Sequence, residues 1–168
     1  MNLDVLFNIS YGLYVVSSKQ GDKINAQLSN TVFQITPDPA TIAISVSKEN
    51  LTCDYIKVSN IFAVSIISDK WSMVDIGRFG FRSGRNVDKF SEVNYKIGKN
   101  GAPIVLENTV GSFECKVIKK WDTGSHIVFL GEVTGTETLS DLKPMTYDYY
   151  HKVLKGKEPT NAPLYRKE

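Results

Sequence analysis

Four segments in the first part of the chain, YGLYVVSS, INAQLSNTVFQIT, TIAISVS and IFAVSII, are dense in β-branched and aromatic residues. Turn formers such as Gln20-Gly21-Asp22 and Pro37-Asp38-Pro39 separate them. Side chains that are stiff at χ1 favour a pleated surface, and connections this short join antiparallel neighbours. Between the third and fourth segments, NLTCDYIKVSN sets Leu51, Tyr55 and Val58 at helical spacing, with Asn50 placed to cap a short helix. Two more strands, GSFECKVIKKWD and SHIVFLGEVTGTETL, form a hairpin across Thr123-Gly124. Ser72 to Gly101 carries five glycines and mixed charge and reads as a long surface excursion with a helical turn at NVDKF. The sum is a mainly β chain: an antiparallel barrel, closed or half closed, with a few short helices. At 168 residues it makes one domain over 1–168, in which 143–168 is a helix followed by an extended tail.

Charge and cysteine content narrow the partners. Twenty basic residues against 18 acidic ones leave a net charge of +2, no broad pull toward nucleic acid or an anionic membrane, so any anion must be held locally. Cys53 and Cys115 are too few for a disulfide framework and read as buried thiols. No apolar run reaches the ~20 residues that a membrane helix needs. The amino end lacks a basic n-region and cleavage signature, which makes the cytoplasm the expected location.

Strand alternation exposes two unusual faces. In TIAISVS, Ile42, Ile44 and Val46 share one face, while Thr41, Ala43, Ser45 and Ser47 share a small hydroxylated one. Such a face is either weakly polar surface or a seat for something flat against the backbone. In SHIVFLGEV, Ile127, Phe129 and Val133 oppose His126, Val128 and Leu130, so both faces are apolar. One fills the core, and the other needs a second layer, either a second copy of the chain or a helix.

Several chemistries lack their residues. His126 and His151 have no companion ligand at metal spacing, and neither a GxSxG elbow nor a placeable acid–base carboxylate pair occurs. Glycines 77, 80 and 84 do not satisfy GxGxxG, and the Walker pattern is missing. An anion must therefore use donors elsewhere. SVSKENLT places Ser47, Lys48, Asn50 and Thr52 at the start of the expected helix, whose first N–H groups favour negative charge; an ordinary capped helix is the plainer reading. NAQLSNT holds Asn25, Gln27, Ser29, Asn30 and Thr31 inside a strand pattern, where polar groups need partners, an edge or a bulge.

In this order and spacing, the segments YGLYVVSS, KINAQLSNTVFQITPDPATIAISVSKENLTCDYI, FAVSII, FGFRSGRNVDKF and GSHIVFLGEV resemble the flavin reductase-like group with the FMN-binding split barrel, over nearly the whole chain. The tail TYDYYHKVLKGKEPTNAPLY is similar to the subgroup of flavoredoxins and the flavoprotein part of high-molecular-weight rubredoxins. This chain has no CxxC pair, so a rubredoxin would be a separate partner. The resemblance implies a homodimer with one FMN per subunit. It places Asn30 and Thr31 beside the isoalloxazine, Ser45, Val46 and Ser47 at its polar edge, and Lys48, Asn50 and Thr52 on the phosphate. It also implies that Phe81, Arg82 and Ser83 close over cofactor or substrate, and that His126 stands beside a transient nicotinamide. The expected function is an FMN-dependent oxidoreductase passing electrons from NAD(P)H or a low-potential protein to free flavin, a rubredoxin or another carrier. The alternative is a non-catalytic module that stores or senses FMN.

Overall fold

The computed structural model describes residues 4–160, 162 and 163. Strands β1 (Tyr14–Gln20) and β2 (Lys23–Ser29) form a hairpin closed by Gly21-Asp22, where Gly21 has a φ of 60° that a residue with a Cβ rarely adopts. β3 (Val32–Pro37) and β4 (Ala40–Ser47) form a second hairpin, followed by α1 (Leu51–Ser59) and β5 (Ile61–Ile67). The expected single run INAQLSNTVFQIT is thus two strands. At Asn30-Thr31 the chain leaves one edge of the sheet for the other, and the polar groups that would break a ladder are satisfied locally. Thr31 Oγ1 donates to Asn30 Oδ1 at 3.0 Å, and the Thr31 carbonyl accepts from Ser45 N at 3.3 Å.

The remaining elements are α2 (Met73–Gly80), a small pair of β6 (Tyr95–Ile97) with β7 (Pro103–Val105), the long hairpin β8 (Thr109–Asp122) and β9 (His126–Thr138), and α3 (Tyr147–Lys152). All pairings are antiparallel, and the main sheet runs β2-β1-β5-β8-β9-β4-β3. Register shifts at Glu114/Cys115 and Val117/Lys119 bend the β8–β9 hairpin. One half of it therefore pairs with β5 and the other with β4. Val16 on β1 and Val32, Ile44 and Val46 on β3 and β4, from opposite ends of that order, join Ile56, Phe62 and Phe129 in one apolar cluster, so the sheet is strongly curled. Cys53 and Cys115 lie in the same cluster as free thiols, and burial pushes Cys115 up to about 12.

Two expectations need correction. α1 buries Thr52, Cys53, Tyr55 and Ile56 and leaves Val58 exposed, so its inner face is rotated from the Leu51-Tyr55-Val58 stripe toward the curled sheet. The excursion from Ser72 also contains a true helix. Ser72 caps α2 by accepting from Asp75 N at 3.1 Å, and the buried Ile76 and Phe79 pack into a second cluster with Trp71, Phe90, Ala26 and Val15. Packing of those aromatics holds a helix that contains Gly77 and Gly80. On β9, Ile127 and Phe129 are buried as expected, whereas Val128 and Leu130 remain half-buried beside Phe33, which is half exposed.

Candidate functional site

The bottom of the molecule's main cavity, about 330 Å³, is a strand face. Asn25, Gln27 and Ser29 alternate on β2 and look into it, while Ala26 between them turns into the aromatic cluster. Ser45 and Ser47 of β4, from the small hydroxylated face of TIAISVS, form a second wall. The first turn of α1, with Asn50, Leu51 and Thr52, closes one end.

That end is the start of a helix, where first-turn N–H groups and the helix dipole favour negative charge. Asn50 sits at the N-cap of α1 in extended backbone (φ −79°, ψ 132°), and it lines the cavity together with Leu51 and Thr52 of the first turn. Thr52 is buried and its Oγ1 accepts from Asn25 Nδ2 at 2.8 Å, tying the helix to β2. The loop after α2, Phe81 to Gly84, crosses above; a Cβ on Gly84 would stand 1.9 Å from Asn25 Oδ1. Arg85 fixes this loop to the helix, donating to Asp54 Oδ2 at 2.6 Å. Hydrogen bonds from Lys57 and then Arg85 hold the Asp54 carboxyl below its ordinary range, so the acid in the first turn is already matched by cations.

The opposite end is aromatic and closed by the carboxyl-terminal segment. Tyr147 and Tyr150 of α3 line it, together with Lys157 to Thr160, Ala162 and Pro163. Tyr150 Oη donates to the Lys157 carbonyl at 2.7 Å, and Tyr147 Oη donates to Glu158 Oε1 at 3.2 Å. Burial first, and then the Glu158 charge, push the Tyr147 hydroxyl far above the ordinary phenol range.

Lys89 enters the wall between the two ends. It is buried, and its ammonium donates to the Ala26 carbonyl at 2.9 Å, on edge strand β2, and to the Phe79 carbonyl at 3.1 Å, in the last turn of α2. Burial alone lowers it to about 8.

Of the residues singled out from sequence, Asn30, Ser45, Ser47, Asn50, Thr52, Phe81, Arg82 and Ser83 line the cavity together. Thr31, Val46, Lys48 and His126 lie off it. Thr31 turns to Asn30, and Val46 is fully buried in the core. Lys48 reaches away to Asp122 Oδ2 at 2.6 Å. His126 pairs with Ser47 across the strands, so its side chain stands on the same sheet face one step beyond the cavity wall; its Nδ1 meets Ser125 Oγ at 2.9 Å. Lys89 and Gly84 are residues that the site reading leaves out, while Tyr147 and Tyr150, which read from sequence as an aromatic packing cluster on a terminal helix rather than as cover for the pocket, line the cavity. NVDKF signals only a helical turn, and nothing in a lone lysine announces burial. Among the described residues no group of His, Cys, Asp or Glu is placed to hold a metal, and no helix is long and apolar enough to cross a membrane.

Comparison with known proteins agrees with this architecture. The model of the flavin reductase like domain matches residues 6–156. The chain is 42% identical over 165 residues to a high molecular weight rubredoxin of Moorella thermoacetica, covering 98% of this chain and 72% of that protein. It is also 42% identical over 165 residues to a ferric-chelate reductase (NAD(P)H) of Archaeoglobus fulgidus, covering 98% of each. Among solved structures, a flavoredoxin of Methanosarcina acetivorans superposes with a TM-score of 0.74 at 21% identity, over 86% of this chain and 78% of that one. An NADH:FAD oxidoreductase of Streptomyces globisporus gives 0.76 at 23%, over 84% of each. At these identities the structures speak for the fold.

Proposed function

The chain belongs to the flavin reductase-like family of oxidoreductases, and on that premise we propose that it binds FMN in the cavity and passes electrons from NAD(P)H, or from a low-potential protein, to a second carrier. The observation that carries this reading is the polarity of the cavity: helix N–H groups and hydroxyls at one end, a buried lysine and amides along one wall, and aromatic rings at the other end.

The residues fit a phosphorylated flavin. Asn50, Thr52 and Ser83, with the first N–H groups of α1, would hold the phosphate. Asn30, Ser45 and Ser47 would border the ring, with Thr31 and Val46 contributing backbone beside them. Lys48, bound to Asp122, would act at longer range as part of the local positive field. Arg82 and Phe81 would close the rim. When bound, the flavin supplies the hydride-accepting ring, so no side-chain nucleophile is required. The protein's part is to orient the donor, exclude water and stabilise negative charge with fixed N–H and O–H dipoles. His126, on the Ser47 face, is placed to steady a nicotinamide that docks there.

The half-buried Val128 and Leu130 and the exposed Phe33 on the same face support a homodimer in which a second copy supplies the missing layer. These 168 residues hold no CxxC pair, so the iron of any rubredoxin acceptor would lie outside them. The near-even charge gives no broad attraction to nucleic acid or an anionic membrane, and the proposed place of action is the cytoplasm.

Titration with FMN, followed by anaerobic stopped-flow mixing with NADH or NADPH, tests the reading. Saturable quenching of FMN fluorescence and bleaching of the flavin band are expected. Binding without bleaching by either nicotinamide or a reduced carrier protein would assign the chain to flavin storage or sensing instead. No binding would remove FMN.

A further inference from the structure

Two polar groups in the cavity wall are left unmatched. Gln27, on β2, is 8% exposed, and its Oε1 has no hydrogen-bond partner. Lys89 is 5% exposed and has three N–H donors, of which the Ala26 and Phe79 carbonyls take two. No ion pair to Lys89 exists among the described residues. A buried acceptor and a buried donor therefore remain on adjacent parts of one wall, since Lys89 grips the residue next to Gln27.

Their place along the cavity identifies what they meet. Asn25 marks the anion end through its bond to Thr52, and Asn30 marks the aromatic end. Gln27 stands one alternation along β2 from Asn25, about 6.6 Å at a strand rise of about 3.3 Å per residue. A ligand anchored by an anionic group at α1 thus presents neither that group nor its ring at Gln27, but the chain that joins them. A hydroxyl on that chain can donate to Gln27 Oε1 while its oxygen accepts from Lys89 Nζ.

We propose that Gln27 and Lys89 form a subsite for the hydroxylated carbon chain of the ligand, a polyol of the ribityl class, and so select against ligands whose linker is plain alkyl. The proposal rests on the FMN reading above. The subsite also answers the burial of Lys89, whose amine loses water on entering the wall and recovers an acceptor when the chain is bound.

The test measures dissociation constants by fluorescence quenching for FMN, riboflavin and 7,8-dimethyl-10-(5-phosphopentyl)isoalloxazine, which keeps ring and phosphate without the hydroxyls. The wild-type protein is expected to bind the phosphopentyl compound about tenfold more weakly than FMN, the loss of one buried hydrogen bond. Gln27→Leu should weaken FMN and riboflavin by a similar factor and leave the phosphopentyl compound unchanged. Equal wild-type affinity for FMN and the phosphopentyl compound overturns the proposal, whether or not the variant folds. So does a Gln27→Leu protein that weakens all three ligands alike. Loss of FMN but not riboflavin affinity in Lys89→Met would reassign Lys89 to the phosphate and overturn the pairing. A wild-type protein that binds none of the three rejects the FMN reading itself, which distinguishes that failure from this one.

Discussion

Replacing Thr52 by Val removes one oxygen and keeps the shape of the side chain. Thr52 is 1% exposed, and Asn25, whose amide donates to it at 2.8 Å, is 3% exposed, so the pair has little access to solvent. A buried amide left without its acceptor costs about 1–3 kcal/mol, and we take about 2 kcal/mol as the centre. In a chain of this size that lowers Tm by roughly 4–8 °C. It also shifts the urea midpoint by about 1 M for a slope near 2 kcal/mol/M. Urea denaturation followed by tryptophan fluorescence measures it, and the slope should not change. Because removing both partners is far less damaging than removing one, Thr52→Val with Asn25→Leu should recover most of the loss. The bond also sets α1 against β2, so FMN affinity of the single variant should fall as well. A Thr52→Val protein within about 0.5 kcal/mol of wild type, or a double variant showing the plain sum of two penalties, would refute the assignment of this bond as the tie between helix and sheet.

Three further outcomes follow from other parts of the molecule. A methyl at Gly131 would stand 2.6 Å from Phe62 Cε1 and 2.8 Å from Cys115 Cβ, so Gly131→Ala should destabilise by about 1–3 kcal/mol in the same denaturation assay. Lys89 falls from 10.5 to about 8 on burial. Below pH 8 both folded and unfolded chains carry its proton and the burial penalty is fully present. Between pH 8 and 10.5 the unfolded chain binds more protons, so this group makes stability rise with pH, by at most about 3 kcal/mol. The buried Tyr and Cys hydroxyls and thiols act in the opposite sense, and subtracting the same profile for Lys89→Met isolates the lysine; a flat difference would count against its burial as a cation. For His126→Ala, slower reduction by nicotinamide with FMN retained is expected, and unchanged stopped-flow rates would return the residue to a structural role.

The strands were legible wherever β-branched residues alternate between turn formers, as in TIAISVS, because both the local preference and the core demand the same pleat. The hairpin at Thr123-Gly124 was legible for the same reason. α2 was not: eight residues with two glycines carry little intrinsic helix signal, and besides the Ser72 cap it is held by the packing of Ile76 and Phe79 with Trp71 and with Phe90, which comes from across the following loop. In the site, the polar residues of SVSKENLT and NAQLSNT declared themselves by being out of place in strands. Which of them turn inward did not, since Lys48 could reach the cavity or Asp122 and only the β8–β9 hairpin decides. Lys89 is the sharpest case, a charged residue whose burial depends on two carbonyls contributed by different elements.

The two thiols of the curled sheet, Cys53 from α1 and Cys115 from β8, share one apolar cluster that stands apart from the cavity. Alkylating reagents reach sulfur only after helix and hairpin separate. The rate at which the protein consumes such a reagent is therefore an internal clock for opening of its core, readable without any added label.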